Sequence, residues 1–189
     1  MNSLRKNRLA LSTVVTTLII LVVSVLLAGV VTYFAINVTS TRVQEENLHL
    51  TKQHIWHNQT MGLGAIMIIN TGGRDVVIDK ISVRGQASEW TNVYYNITSG
   101  AIAGDFAFNN SVCNANGTTV TATVGPTPYI FTRGTANQDL VLPSGQTMLM
   151  WIKSPDSISV NDIGLTVAMT IFSSQAMYYK EMNVEAAVG

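Results

Sequence analysis

Between Leu9 and Thr41 the chain carries no Asp, Glu, Lys or Arg and no proline. This run constrains the fold more than any other feature of the sequence. A helix that is apolar all round has no face to give to water, so it belongs in a bilayer or in a bundle of helices. A purely cytoplasmic enzyme is therefore disfavoured. A secretory signal has an apolar region of about 7–15 residues followed by a small-x-small cleavage site. The run is far longer, and no such pattern stands around Leu26, Leu27, Ala28 and Gly29. Roughly 20 apolar residues span a bilayer, so the length suits a membrane anchor. Arg5, Lys6 and Arg8 precede the run with no acid among the first ten residues. Such a flank holds the N-terminus inside and sends the remainder outward.

The apolar run passes into TSTRVQEENLHLTKQHIW, which has neither Gly nor Pro. Val43, Leu50 and His57 fall seven apart, as do Leu48 and Ile55. This spacing predicts one helix over 11–57, roughly 68 Å long at 1.5 Å per residue. At a helical pitch, Thr13, Thr17, Ser24, Ala28, Thr32, Ala35 and Thr39 share one sector of about 100°, interrupted by Val14, Leu21 and Val31. Small residues on one face let helix backbones approach closely. Their hydroxyls can bond carbonyls of their own helix, which satisfies them in an apolar medium. A packing stripe and the chance distribution of a β-branched anchor both account for this face.

The stretch Arg8-Leu9-Ala10-Leu11-Ser12-Thr13-Val14-Val15, followed by a long apolar helix, resembles the start of archaeal type IV pilins and archaellins. The resemblance implies that a prepilin-peptidase-type enzyme cuts after Ala10 and leaves Leu11 as the mature N-terminus. Thr13 stands where many relatives have Pro, and Leu9 separates the basic residue from the small one. Archaellins usually carry a Gly-rich signature directly after the cut, and Leu11-Ser12-Thr13-Val14 lacks it, so the resemblance favours a pilus over a swimming filament. The stretch IMIINTGGRDVVIDKISVRG also looks like the first hairpin of pilin outer domains.

From Gly62 onward, short β-like runs alternate with turn residues. Leu63–Ile69, bounded by Asn70-Thr71-Gly72-Gly73, and Val76–Val83 predict a hairpin. Asn92–Thr98 and Thr118–Val124 predict further strands, with a long exposed loop over Gly100–Gly117. Gln146–Lys153 is apolar on both faces and predicts an internal strand. Strict alternation from Ile163 to Phe172 predicts another, and Ala176–Val184 follows a Ser173-Ser174-Gln175 turn. Seven to nine such strands predict an antiparallel, Ig-like β-sandwich over 62–189. The whole is an α+β chain: leader 1–10, long helix 11–57, outer domain 62–189.

The sequence assembles no catalytic signature: it has no G-x-S-x-G, no H-E-x-x-H and no phosphate-cradling glycine loop. No enzyme, cofactor or metal is expected. His54 and His57 would share a helix face, but no further ligands stand nearby. Asp75, Asp79, Asp156 and Asp162 follow no calcium-loop spacing and are expected to keep strand edges and turns soluble. Cys113, the one cysteine, excludes an internal disulfide and is expected to be buried. Eleven basic residues balance eleven acidic ones, with no basic cluster beyond the N-terminus, which argues against nucleic acid. Asn-x-Ser/Thr occurs at Asn37, Asn58, Asn96, Asn109 and Asn116. Asn37 ends the apolar helix, where a bundle would shield it, which leaves Asn58, Asn96, Asn109 and Asn116 as candidate glycan acceptors.

The expected partners are copies of the chain itself, the membrane before assembly, and the protease and assembly machinery. The expected product is a cell-surface filament, with adhesion as its role. An archaellum-type filament, a membrane-anchored β-domain binding protein that retains residues 1–10 and an anchored extracellular enzyme are the alternatives. Mass spectrometry of protein released from the cell surface should find Leu11 first, and Arg8→Ala should slow the cut. An intact leader peptide would favour the anchored protein.

Overall fold

The computed structural model describes residues 3–43 and 45–187, with side chains described for 11–40 and 45–187. The chain divides into two compact units, 1–44 and 45–189.

The first unit is one helix, α1 (Ser3–Val43). Its 30-residue stretch Leu11–Ser40 has a mean hydropathy of 2.9 and is long and apolar enough to cross a membrane. Every described side chain in it is exposed within this unit. Arg5, Lys6, Arg8 and Ala10, which the sequence assigns to an expected leader, have side chains outside the described residues; the backbone there belongs to α1.

The helix stops well short of residue 57. Residues 48–58 form β1 (Leu48–Asn58), so the helix predicted over 11–57 is corrected to one ending at Val43, and the β unit begins at Glu45 rather than 62. The heptad-like spacing has a different cause. Leu50 and Thr51 pair with Ile68 and Met67, and pairing resumes at His54 with Ala65. Lys52, at φ 52°, and Gln53 therefore stand opposite the single Ile66, which is a β-bulge with one extra residue. The extra residue shifts the alternation by one, so Ile55 joins Leu48 and Leu50 in the same core. A seven-residue interval that suits a helix is here an even strand interval plus a bulge.

The remaining strands are β2 (Met61–Asn70), β3 (Val76–Val83), β4 (Gln86–Ser88), β5 (Val93–Thr98), β6 (Thr119–Val124), β7 (Thr127–Arg133), β8 (Leu140–Leu142), β9 (Thr147–Lys153), β10 (Thr166–Ser173) and β11 (Met177–Ala186). A single turn of helix, α2 (Asn110–Cys113), precedes β6. Among the described residues, eleven strands exceed the seven to nine expected, because β1 falls where the sequence predicts helix and the short β4 and β8 lack a readable alternation.

One sheet runs β1-β2-β9-β5-β7-β6 and the other β4-β3-β10-β11, with β8 on β3. They form the expected sandwich after a long helix. All pairs are antiparallel but one: β11 pairs β10 through 177–183 and then lies parallel to β1 through 184–186, joining the two sheets. The hairpin expected between β2 and β3 does not form, since β2 pairs β1 and β9 while β3 pairs β10, β4 and β8. The connection crosses between sheets because Asn70 is fully buried. Its Nδ2 donates to the carbonyls of Arg74 (2.8 Å) and Leu142 (3.0 Å). Gly72 lies so close to the chain at Glu45 that a Cβ there would come within 2.6 Å of the Glu45 carbonyl.

β9 explains the internal order. Met148, Met150 and Ile152 enter the core between the sheets, with Ile66, Ile68, Met169 and Ile171. Leu149 and Trp151 enter a second core on the other face, with Leu63, Ala65, Tyr94 and Phe131. Phe106, Val112 and Cys113 close that second core. The segment 100–117, expected to be exposed, is therefore partly a lid. Lys52 Nζ holds it by donating to the carbonyls of Ile102 (2.7 Å) and Gly104. Trp151 packs edge-on to Phe106 at 4.9 Å and against Trp56 at 6.1 Å.

Two outcomes are expected. A fragment spanning 45–189 folds alone, with circular dichroism dominated by β structure. Within it, Trp151→Ala costs about 3–5 kcal/mol, the usual range for emptying an aromatic site. Urea unfolding measures the loss, which should far exceed that of an exposed change such as Ile130→Ala.

Candidate functional site

The dominant surface of the molecule is the apolar helix. Eighteen large apolar side chains from Leu11 to Val38 are exposed, among them Leu18, Leu21 and Leu26 at about 60%. Burying each such side chain is worth about 1.5–3 kcal/mol. Leaving them all in water would forfeit tens of kcal/mol, more than the roughly 5–15 kcal/mol that holds a typical domain together. The helix therefore requires an apolar environment that its own unit does not supply.

Its polar side chains do not resist such an environment. Thr17 Oγ1 donates to the Val14 carbonyl (2.9 Å), Ser24 Oγ to Ile20 (2.7 Å) and Thr32 Oγ1 to Ala28 (2.7 Å). Thr16 Oγ1 does the same to Ser12 (2.9 Å). Each hydroxyl is satisfied inside the helix, so it can be moved out of water with little penalty. Thr13, Thr17, Ser24, Ala28, Thr32, Ala35 and Thr39 are all exposed, and the helix carries them as the small-residue face described above. Ala35, Ile36, Thr39 and Ser40 line a shallow recess at its C-terminal end. A Cβ placed on Gly29 would meet nothing within 4 Å.

The other residues of interest lie in the β unit. His54 and His57 sit on β1, not on a helix, and only three positions apart, so they face opposite sides of the strand. His54 stacks on Trp56 at 5.0 Å and its Nε2 lies 3.2 Å from Asp105 Oδ1. His57 is buried, with no partner at Nδ1. His49 is exposed. Among the described residues no cluster of His, Cys, Asp and Glu could hold a metal ion. Cys113 is fully buried; burial pushes its thiol pKa up, and the charge of Lys153 offsets part of the rise.

Asp162 does more than keep a turn soluble. It is nearly buried, accepts from Ser159 Oγ and Ser159 N (2.8 Å each) and pairs with Arg84 (2.8 Å). The Ser159 hydroxyl and amide, and then the Arg84 guanidinium, hold its carboxyl below the usual range against the opposing effect of burial. Arg84 occupies a two-residue hairpin turn with Gly85, both at positive φ. Asp75 accepts from the Ser144 amide (2.9 Å), while Asp79 and Asp156 are exposed.

A polar clamp that the sequence did not reveal begins the β unit. Glu46 accepts from Ser173 Oγ through its carboxylate, and its carbonyl accepts from the Tyr178 hydroxyl (3.3 Å). Burial, and then the Glu46 charge, raise the Tyr178 pKa. The partners lie 127 and 132 residues apart, beyond the reach of any local pattern.

The four candidate acceptors have different surroundings. Asn58 ends β1 in a tight turn, Asn96 lies within β5, Asn109 caps α2 and Asn116 is exposed next to Lys153. Asn37 is on α1.

No protein-family model and no curated protein matches the chain. Among solved structures, the ligand binding region of Serine-glutamate repeat protein A (SgrA) of Enterococcus faecium is similar to it at 16% identity and a TM-score of 0.31. That match covers 76% of this chain and 99% of the other. At this TM-score it carries no argument about fold or function.

Because Asp162 has a lowered pKa in the folded state, it stabilises the fold above the ordinary carboxylate range, near 3.9. The contribution fades as pH falls through the folded value. Asp162→Asn should lower Tm at neutral pH, and the difference from the parent should shrink below about pH 4. Thermal melts across pH 2–7 measure it.

Proposed function

We propose that the chain is a structural subunit, a pilin, of an extracellular type IV pilus-like filament of the archaeal kind, and that it polymerises through Leu11–Ser40. The observation that carries this reading is an exposed apolar helix whose hydroxyls at Thr16, Thr17, Ser24 and Thr32 are satisfied internally. Such a helix is at home in a bilayer and equally in a bundle of its own copies.

The protein would use both in turn. Before assembly, Arg5, Lys6 and Arg8 hold the N-terminus on the cytoplasmic side. Tyr33 and Phe34 lie roughly 33 Å along the helix from Leu11 at 1.5 Å per residue, near the far interface of a hydrocarbon core of about 30 Å, where aromatic residues collect. A cut after Ala10, made by a prepilin-peptidase-type protease, removes the three leader charges and leaves eight basic residues against eleven acidic ones. The cut leaves the α-amino group of Leu11 as a new charge at the helix start. No side chain from Leu11 to Ser40 is charged, so the helix can leave lipid for its neighbours without moving a charged side chain. Lipid and bundle are equally apolar, so the exchange costs little hydrophobic energy, and close packing of the small face adds dispersion contacts. The stretch Leu11–Ser40 is roughly 45 Å long, more than a bilayer needs. That excess favours a filament core over a plain anchor. Head-to-tail contacts of one kind generate an open helical array. The β units would form the outer sheath, and adhesion is the role this surface position supports.

Ala28→Phe keeps the helix apolar, so membrane insertion should survive while filament assembly fails, because bulk on the small face separates helices that must nearly touch. Val22→Asp should also abolish assembly, since burying an unpaired carboxylate costs several kcal/mol. Glu45→Gln, at an exposed position, should assemble normally. Electron microscopy of cells producing each variant reads the outcome. Normal filaments with Ala28→Phe would show that the small face is not the contact.

A further inference from the structure

We infer that Asn58 is an acceptor of an N-linked glycan and that Asn96 is not, an inference that rests on the reading that the β unit is exported. Both satisfy the Asn-x-Thr pattern, so the difference comes from geometry.

The β1–β2 turn is Asn58-Gln59-Thr60-Met61, with Asn58 paired to Met61. Asn58 Oδ1 accepts three hydrogen bonds: from Thr60 Oγ1 (3.0 Å), Thr60 N (3.3 Å) and Met61 N (2.8 Å). A carboxamide nitrogen is a poor nucleophile because its lone pair is shared with the oxygen. When Nδ2 gives up a proton, charge gathers on Oδ1. Three donors already aimed at that oxygen stabilise it without rearrangement, as donors do around a developing oxyanion. The hydroxyl of the pattern is one of the three. No hydrogen bond from Nδ2 to another described residue is present, and Gln59 and Thr60 are exposed.

In the transfer, Nδ2 loses a proton to a base of the transferase and bonds to the anomeric carbon of a lipid-phosphate-linked oligosaccharide. The bond from that carbon to the phosphate oxygen breaks, and the lipid phosphate leaves with the electron pair. The other proton stays on Nδ2.

The surroundings of Asn58 suit a sugar. The turn borders a cleft of about 510 Å³ lined also by Val160, Ile163, Ala186 and Ala187. Val160 and Ile163 are 45% and 39% exposed. The C–H face of a first sugar on Asn58 can cover them.

At Asn96 these features are absent. It lies inside β5, between β9 and β7, and its Nδ2 donates to the Ile130 carbonyl (2.8 Å). In a strand, residues two apart are separated by about 6.7 Å, and Thr98 Oγ1 accepts from the Gly100 amide (3.2 Å) instead. At Asn109 and Asn116 the carbonyl oxygen serves the α2 cap and Lys153, so the pattern's own hydroxyl reaches the carboxamide at Asn58 alone among the four.

The test is peptide mass spectrometry of full-length protein recovered from the cell surface. Trypsin isolates Asn58 in the peptide 53–74, and further cleavage at aromatic residues separates Asn96 from Asn109. The expected result is a sugar mass on the Asn58 peptide and none on Asn96. Thr60→Ser should keep the modification. Thr60→Val, which keeps the side-chain shape, should lose it while Tm stays that of the parent produced without the transferase. A bare Asn58, a modified Asn96, or modification that persists in Thr60→Val would overturn the inference. The N-terminal peptide of the same sample separates the two readings: Leu11 first with a bare Asn58 defeats only the glycan inference, whereas absence of the chain from the surface defeats both.

Discussion

One unpaid solvation debt sets what this chain must do beyond folding: thirty residues of helix without a charged side chain that nothing in its own unit covers. In most domains an apolar helix finds its partner within the same chain. Here the β unit is complete without it. Two cores, one between the sheets and one beneath the 100–117 segment, are filled by side chains from 48 onward. The helix is therefore committed to something outside the unit. A chain divided in this way is suited to a process in which the apolar partner changes while the β unit stays folded.

The β unit meets the demands of such a role by being fixed at both ends of its first strand. Glu46, two residues before β1, is held by Ser173 and Tyr178. At the far end, β11 leaves β10 and runs alongside β1. β1 is thus tied into both sheets. The Asp162–Arg84–Ser159 cluster serves a humbler purpose, pinning the 154–165 segment against the β3–β4 turn.

The legible parts of the structure were those set by one physical signal over many residues. The apolar helix was plain because an absence of charge over thirty positions has no competing explanation. β9 was plain because Met148–Ile152 is apolar on both faces, and the structure buries each face in a different core. Burial of Cys113 follows from the apolar character of a lone thiol. Sequence and structure diverge where a local pattern has two physical solutions. Leu48 and Ile55 repeat as a heptad would, but an added residue at Lys52 produces the same interval in a strand. Asn70-Thr71-Gly72-Gly73 reads as a hairpin turn, but the buried Asn70 carboxamide makes it a crossover between sheets. The loop composition of 100–117 concealed a lid because its buried residues, Phe106, Val112 and Cys113, are few and widely spaced. The Glu46 clamp depends on partners distant in sequence, which no single-chain periodicity can reveal.

On the proposed reading, residues 11–40 leave the bilayer and become the core of a homopolymer. Image reconstruction of filaments sheared from the cell surface should show one chain per repeat, beginning at Leu11, with helices packed at the axis roughly 8–10 Å apart and the β units outside. Recovery of the chain only as a detergent-extracted membrane monomer, with residues 1–10 intact and no filament containing it, would show that the helix stays in the bilayer as an anchor.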